Sequence, residues 1–213
     1  MFGAPIFRDR VQAGQLLAEK LRVESRLAHP LVLALPRGGV PVAFEIARDL
    51  HGDLDILLVR KIGVPGDEEL ALGAVASGGV RVINEALAEH LKISAAAIEA
   101  LTAREQREIE HHERLYRDDR APLPIVNRDV ILVDDGLATG ATMLAAVRAV
   151  RQQNPRRIVV AAPVASVAAC KEFRRHADEI VCLHTPEPFY AVGAWYQDFS
   201  QTTDQEVCAK VTG

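Results

Sequence analysis

Cysteines, long apolar runs and an excess of positive charge are all scarce in this sequence, and each absence disfavours a class of protein. The 213 residues include three cysteines and no Cys-x-x-Cys pair, which argues against a disulfide framework and a zinc site. Lysine and arginine number 25 against 29 acidic residues, so nucleic acid is disfavoured as a partner. No apolar run approaches the length of a signal peptide or a membrane span. We therefore expect a cytoplasmic protein without a membrane partner.

Two common catalytic motifs are also missing. No Gly-x-Gly-x-x-Gly run follows a candidate strand, which argues against a dinucleotide-binding enzyme. No serine lies in a Gly-x-Ser-x-Gly elbow, so no nucleophile of the hydrolase kind is visible. Any chemistry must come from another arrangement of residues.

The residues that are present suit a single α/β domain over residues 1–213. Hydrophobic residues make up 49% and charged residues 25%, as in an ordinary folded protein. Continuous apolar runs, typical of strands buried on both faces of a parallel sheet, occur at 31–35, 56–59, 130–133, 158–162 and 180–183. Helical patterns predict helices at about 8–27, 40–51, 140–153 and 166–176. The sequence predicts a mainly parallel five-stranded sheet flanked by helices, with a core at about residues 30–184.

Three further segments lie outside that simple pattern. Residues 70–83 predict a hairpin that turns at Gly78 and Gly79. Residues 94–120 predict a long charged helix that begins at Ser94 and forms a solvated arm or a partner-facing surface. Its arginines could form a local basic face for RNA, but the acidic residues between them favour a neutral solvated face. Residues 185–213 form a C-terminal segment beyond the last predicted strand.

The most informative segment is residues 130–142, with the sequence Val-Ile-Leu-Val-Asp-Asp-Gly-Leu-Ala-Thr-Gly-Ala-Thr. An apolar strand leads into Asp134 and Asp135 and then into a loop of small and hydroxylated residues that opens a helix. Backbone N–H groups at a helix N-terminus favour a phosphate. Carboxylates repel phosphate and suit sugar hydroxyls or a hydrated Mg²⁺. A phosphorylated ribose would satisfy both halves of the segment.

This segment resembles the phosphoribosyl-pyrophosphate signature of type I phosphoribosyltransferases. The resemblance implies the type I phosphoribosyltransferase fold, with a small hood formed by about residues 185–213 and the N-terminus. It implies that Asp134 and Asp135 hold the 2′- and 3′-hydroxyls of the ribose. It also implies a loop that holds the 5′-phosphate, formed by Ala138, Thr139, Gly140, Ala141 and Thr142. In this family the region that corresponds to 94–120 often contains a mobile loop that closes over the substrate.

Two cationic segments are candidates for the pyrophosphate. The loop after the first strand contains Arg37, Gly38 and Gly39, where glycines allow close approach and the guanidinium suits phosphate oxygens. It resembles the pyrophosphate loop of the family, which implies a cis peptide bond, with Arg37–Gly38 as the candidate. The second predicted strand leads into Arg60 and Lys61, which resemble the Arg-Lys pair of orotate phosphoribosyltransferases. We expect one of these two cations at the pyrophosphate.

Five of the ten aromatic residues lie between 185 and 199. They could cap the open end of the sheet, or they could form a platform on which a planar base stacks. The segment resembles the hood of hypoxanthine and xanthine-guanine phosphoribosyltransferases, which implies a base near Phe189, Tyr190, Trp195 and Tyr196. The same resemblance, with a one-residue insertion, implies Asp198 as a metal ligand.

One residue departs from the purine salvage enzymes. They have an Asp immediately before the Thr-Gly of the phosphate loop, where this chain has Ala138, so a purine would lack its usual acid or base. The resemblance implies a Mg²⁺-dependent enzyme in which a nitrogen nucleophile displaces pyrophosphate, with Arg37, Asp134 and Asp135 as the catalytic residues. The partners would be phosphoribosyl pyrophosphate and an unidentified base, in a possible homo-oligomer. The alternative is a non-catalytic regulator that keeps the site to sense nucleotides.

Overall fold

The computed structural model describes residues 5–118 and 120–213, apart from the side chains of Glu68 and Glu69. The helices are α1 (Arg10–Glu24), α2 (Gly39–Leu50), α3 (Glu85–His90), α4 (Ala95–Arg117), α5 (Ala141–Arg151), α6 (Val167–Phe173) and α7 (Asp204–Thr212). The strands are β1 (Leu31–Ala34), β2 (Asp53–Ile56), β3 (Val59–Val64), β4 (Asp67–Ala76), β5 (Val80–Ile83), β6 (Asp129–Val133), β7 (Arg157–Val164) and β8 (Glu179–His184). None of the described helices combines the length and apolarity needed to cross a membrane.

The main sheet confirms the α/β prediction. Its five strands are all parallel and lie in the order β2-β1-β6-β7-β8. Every residue of β1 and β6 is buried, because helices cover both faces of the sheet. Leu17 of α1, Ile46 of α2 and Val207 of α7 pack on one face, whereas Val147 of α5 and Phe173 of α6 pack on the other. This is the sheet expected of a type I phosphoribosyltransferase.

The prediction of a strand at 56–59 is wrong in position, because the strand of the main sheet is β2 at Asp53–Ile56. Strand β2 ends at Ile56, the Leu57 N–H still donates to the Ala34 carbonyl of β1 over 2.9 Å, and Val59 begins a second sheet. The change follows from new hydrogen bonds, since the Leu58 N–H donates to Ser77 Oγ over 2.9 Å and the Ser77 N–H donates to the Leu58 carbonyl over 2.9 Å. Arg60 and Lys61 therefore lie inside β3 and not at the end of a strand of the main sheet.

The second sheet is antiparallel, in the order β3-β4-β5. The predicted hairpin is confirmed as β4 and β5, with a short 3₁₀ turn over Ser77–Gly79. The long helix is also confirmed, and the Ser94 hydroxyl caps it by accepting from the Ala97 N–H over 3.2 Å. This helix is not only a solvated arm, because Ile109 is fully buried against the second sheet.

The end of α4 is fastened to the main sheet by a buried arginine. Arg117 is 4% exposed, and its Nε donates to Asp55 Oδ1 over 2.8 Å. Its remaining nitrogens donate to Glu113 Oε1 and to the Ile56 carbonyl, each over 2.7 Å. The arm and the second sheet are thereby held beside β2.

Candidate functional site

The two loops predicted to bind the ligand lie side by side. Strands β1 and β6 are parallel neighbours, so the loops that follow them leave the same edge of the sheet. The Leu35 N–H still donates to the Val133 carbonyl over 2.9 Å, immediately before the loops begin. A Cβ atom on Gly38 would lie 2.0 Å from Asp135 Oδ2, and one on Gly39 would lie 2.6 Å from the Val133 carbonyl oxygen. Both glycines are thus required by the close approach of the loops.

The predicted pyrophosphate loop has unused backbone donors. The Gly39 N–H donates to the Leu35 carbonyl over 3.1 Å, but the N–H groups of Arg37 and Gly38 donate to no group in the described part of the chain. The cis peptide bond is present, although it joins Pro36 to Arg37, so the prediction of a cis Arg37–Gly38 bond is wrong by one bond.

The predicted phosphate loop also presents free donors at a helix N-terminus. Gly140 has φ of 73°, a conformation that glycine adopts without strain. The Thr139 hydroxyl oxygen accepts from the N–H of Ala141, the first residue of α5, over 3.5 Å. Within the described residues, the N–H groups of Thr139 and Gly140 donate to no partner. The Ser166 hydroxyl fixes the loop from below by donating to the Ala138 carbonyl over 2.7 Å. The arrangement suits an anion at the N-terminus of α5.

The two carboxylates at the end of β6 are partly buried and adjacent. Burial, reinforced by the charge of Asp135, raises the pKa of Asp134 well above its ordinary value. Burial also raises the pKa of Asp135, although a hydrogen bond from Arg10 opposes the rise. Asp134 Oδ1 accepts from the Asp135 N–H over 2.9 Å, which orients the first carboxylate locally. Two acceptors thus lie between the two loops rich in N–H donors.

Arg10 is a residue of the site that the sequence analysis missed. Its Nε donates to Asp135 Oδ2 over 2.8 Å, although 125 positions separate the two residues. Tyr196 reaches the same residue from the C-terminal segment, where its hydroxyl donates to the Asp135 carbonyl over 2.6 Å. No local sequence motif indicates either contact, because both contacts depend on how the N-terminal and C-terminal segments pack against the end of β6.

Arg37 is paired with the C-terminal helix. Its NH1 lies 3.6 Å from Oδ1 of Asp204, the first residue of α7. Asp204 Oδ1 also accepts from the Tyr116 hydroxyl over 2.6 Å. The side chain of Arg37 is 35% exposed, so water can reach the guanidinium.

The two cations of β3 separate onto opposite faces of the second sheet, as neighbours in a strand do. Arg60 faces α4, and its Nε donates to Glu105 Oε2 over 2.7 Å. Lys61 faces α5 and lines a cavity of about 230 Å³ together with Thr142 of the phosphate loop. Of the pair, Lys61 is therefore the one that shares a cavity with the predicted site.

Two of the four aromatic residues predicted to stack on a base are buried in the core of the hood. Trp195 and Tyr196 are 9% and 4% exposed, and the Tyr196 ring centroid lies 5.3 Å from that of Phe7. This contact confirms that the N-terminus joins the hood. Phe189 packs beside Trp195 with 6.4 Å between centroids, whereas Tyr190 is 64% exposed. A stacking role is thus more open to Phe189 and Tyr190 than to the two buried rings.

Asp198 lies on the surface of the hood. Its Oδ1 accepts from the Ser200 N–H over 2.9 Å, and this hydrogen bond lowers the pKa of the carboxyl group. The described residues contain no group of three or more His, Cys, Asp or Glu side chains that could hold a metal ion. The assignment of Asp198 to a metal stays a prediction.

Comparison with known proteins identifies relatives of this chain. The sequence pattern of the phosphoribosyl transferase domain matches residues 65–194. A protein of Mycobacterium tuberculosis H37Rv that is provisionally named a phosphoribosyl transferase is 44% identical over 204 residues, which cover 96% of this chain. The chain spans 46% of the length of that protein. The bifunctional protein PyrR of Syntrophobacter fumaroxidans is 33% identical over 125 residues, or 55% of this chain and 67% of PyrR.

Solved structures agree with this relationship. The crystal structure of TT1426 from Thermus thermophilus is 47% identical, has a TM-score of 0.88, and the match covers 97% of this chain and 99% of TT1426. A hypothetical protein of Neisseria gonorrhoeae with bound ppGpp shares the fold alone, with a TM-score of 0.53, 12% identity, and coverage of 99% and 97% of the two chains. Because the family pattern matches more than half of the chain and the relative from Mycobacterium tuberculosis matches almost all of it, this chain belongs to the phosphoribosyl transferase domain family.

Proposed function

We propose that this protein is a Mg²⁺-dependent phosphoribosyltransferase, in which a nitrogen nucleophile displaces pyrophosphate from C1 of phosphoribosyl pyrophosphate. The observation that carries the proposal is the contact between the two loops. Gly38 of the first loop lies against Asp135 of the second. Backbone N–H groups that can bind anions therefore lie on both sides of two carboxylates that can accept hydrogen bonds from sugar hydroxyls. This order of groups matches the order of pyrophosphate, ribose and 5′-phosphate in the substrate.

Each part of the substrate has residues suited to it. The free N–H groups of Thr139 and Gly140 and the positive end of α5 would hold the 5′-phosphate. Asp134 and Asp135 would accept hydrogen bonds from the ribose hydroxyls. The free N–H groups of Arg37 and Gly38 would hold the pyrophosphate and stabilise the charge that it acquires as it leaves. Catalysis of this kind depends on positioning and electrostatics and needs no covalent nucleophile on the protein.

The residues present also fit Mg²⁺. The ion would be held chiefly by the substrate phosphates and by waters, and Asp134 and Asp135 provide hard oxygen acceptors for those waters. When bound, the ion would neutralise charge on the pyrophosphate. Arg37 would add a fixed cation on the same group, and Lys61 could reach the 5′-phosphate side through the cavity that it shares with Thr142.

The nucleophile is left as a nitrogen base of undefined type. Ala138 supplies no proton acceptor at the position where purine salvage enzymes have an Asp, and Trp195 and Tyr196 are buried in the hood. Both observations argue against a purine bound in the manner of those enzymes. A cytoplasmic location and assembly into a homo-oligomer belong to the same proposal.

The test is calorimetric titration with phosphoribosyl pyrophosphate, with and without Mg²⁺, and with ribose 5-phosphate for comparison. We expect the full substrate to bind more tightly than ribose 5-phosphate, with Mg²⁺ strengthening the binding. The double variant Asp134→Asn/Asp135→Asn should lose that binding while it stays folded. The variant Glu19→Gln/Asp49→Asn removes the same charge from exposed positions and should bind normally. Unchanged affinity in the first variant would overturn the proposal.

A second experiment distinguishes the transferase from the non-catalytic regulator that senses nucleotides. Pyrophosphate release is measured with a panel of nitrogen bases at saturating phosphoribosyl pyrophosphate. Release with any base, abolished in the Asp134→Asn/Asp135→Asn variant, would support the transferase. Tight binding without release from any base would favour the regulator that uses the same site to sense nucleotides.

A further inference from the structure

Arg10 is the cation that reaches the predicted ribose carboxylates from outside the two ligand loops. It is the first residue of α1 and lies before the region that matches the family pattern. Its side chain is 11% exposed, so its charge has been removed from most of the surrounding water. A buried guanidinium requires charged or polar partners, because an unpaired buried charge is costly in free energy.

Three contacts fix the orientation of the Arg10 guanidinium. Nε donates to Asp135 Oδ2 over 2.8 Å, and NH1 donates to the Ser200 carbonyl over 2.7 Å. The Phe199 ring lies under the guanidinium, with its centroid 4.0 Å from Cζ. The arginine is therefore held from the hood side before any ligand arrives.

Asp135 is constrained just as closely. Gly38 leaves space for its carboxylate only because glycine has no Cβ, and the Tyr196 hydroxyl binds its carbonyl over 2.6 Å. Arg10 occupies Oδ2, so Oδ1 is left without a hydrogen-bond donor in the described part of the chain. Oδ1 is therefore the oxygen of Asp135 whose full accepting capacity is open to a ligand.

We propose that Arg10 is a positioning residue of the phosphoribosyl site, which holds Asp135 so that Oδ1 accepts a hydrogen bond from a ribose hydroxyl. The role rests on the proposed function above. Arg10 acts through Asp135 and does not contact the ribose. Without its charge the repulsion between the two adjacent carboxylates would be stronger, and Asp135 would lose the bond that fixes its side-chain torsions.

The neighbouring arginines do not offer the same function. Arg37 is paired with Asp204 and not with either site carboxylate. Arg8 lies two positions before Arg10 and pairs with Asp9, with its side chain 63% exposed. Arg8 is therefore a suitable control for the loss of a positive charge near the start of α1.

The experiment compares Arg10→Gln, Arg10→Lys and Arg8→Gln with the unaltered protein in calorimetric titrations. The three ligands are ribose 5-phosphate, 2-deoxyribose 5-phosphate and inorganic pyrophosphate. The unaltered protein should prefer ribose 5-phosphate, because the deoxy sugar lacks one hydroxyl. Arg10→Gln should bind ribose 5-phosphate about tenfold more weakly, as expected for a charge-assisted hydrogen bond that is lost. It should bind pyrophosphate normally and lose most of the preference for ribose. Arg10→Lys should recover part of that preference, and Arg8→Gln should match the unaltered protein.

The other outcomes are equally informative. Equal weakening of all three ligands by Arg10→Gln would show a general structural role and would overturn the proposal. An Arg10→Gln variant with unaltered affinity and preference would overturn it as well. Failure of the unaltered protein to bind any of the three ligands would overturn the proposed function, and the role of Arg10 with it.

Discussion

The guanidinium of Arg37 and the carboxylate of Asp204 link the predicted pyrophosphate loop to the last helix, with 3.6 Å between NH1 and Oδ1. The same carboxylate accepts from the Tyr116 hydroxyl over 2.6 Å. Burial and this hydrogen bond raise the pKa of Tyr116, so the tyrosine stays a neutral donor. Asp204 thus competes with any anionic ligand for Arg37.

Replacement of Asp204 by Asn should therefore strengthen binding of inorganic pyrophosphate. The pair is partly exposed, so the expected gain is modest, up to about fivefold in Kd. The gain should shrink at high salt because the interaction is screened. Calorimetry at two salt concentrations checks this, with Asp49→Asn as the control for a negative charge lost at an exposed position outside the site. Weaker pyrophosphate binding by Asp204→Asn would show that Asp204 presents Arg37 to the ligand.

The buried ion pair between Asp55 and Arg117 should matter for stability and not for the site. Asp55→Asn leaves the Arg117 charge with Glu113 as its remaining carboxylate partner, which should cost about 3 kcal/mol in the free energy of unfolding. Asp53→Asn in the same strand removes an ion pair with Arg128 at an exposed position and should cost less than about 1 kcal/mol. Urea denaturation measures both. A similar cost for the two variants would contradict the importance given to burial.

Much of the fold follows from the sequence because continuous apolar runs leave few alternatives. The apolar runs predict strands β1, β6, β7 and β8 within two residues at each end. β1 and β6 are buried along their whole length and β7 is buried at every residue but the first, whereas β8 is an edge strand of the sheet and is mostly half-buried. The second strand could not be placed, because the apolar run at 56–59 continues from one sheet into another. What ends β2 is a hydrogen bond between Leu58 and Ser77, which lie 19 positions apart.

Some residues of the candidate site lie in local sequence motifs, whereas others are brought there only by the packing of distant segments. The loop with Gly38 and the loop with Asp135 are local motifs, and their proximity follows from parallel strands that are neighbours. Arg10 could not be foreseen, because its position depends on the packing of α1 against the hood. The role of Trp195 is ambiguous in the sequence for a related reason, since an aromatic side chain serves equally well as a core residue or as a stacking platform.

Gly38→Ala should weaken the proposed ligand binding. A Cβ at this position would lie 2.0 Å from Asp135 Oδ2, so the carboxylate or the loop must move. We expect the affinity for phosphoribosyl pyrophosphate to fall by at least about tenfold. Gly79→Ala is the matched control, because its φ of 73° makes alanine strained by about 1–2 kcal/mol while no atom lies within 4 Å of the new Cβ. Retained binding in Gly38→Ala would show that the close approach of the loops is not needed by the ligand.

Asp134→Asn should stabilise the fold at neutral pH while it weakens ligand binding. Burial raises the pKa of Asp134, so the folded protein binds this proton more tightly than the unfolded chain does. The stabilising contribution of Asp134 is therefore complete at acidic pH, below the unfolded pKa of about 4, and is lost as the pH rises through the raised pKa. Asparagine does not ionise and escapes that loss.

The free energy of unfolding of Asp134→Asn, minus that of the unaltered protein, should accordingly increase with pH between pH 4 and pH 8. Urea denaturation at several pH values measures this difference, and Asp198→Asn is the control for a carboxyl whose pKa is lowered instead. For that control the difference should fall with rising pH or stay flat, since a lowered pKa contributes stability above the unfolded pKa. A difference for Asp134→Asn that does not increase with pH would mean that Asp134 is as well solvated as an ordinary surface carboxylate. The charge of Asp134 would then not destabilise the ligand-free protein, and a ligand would have no such destabilisation to relieve.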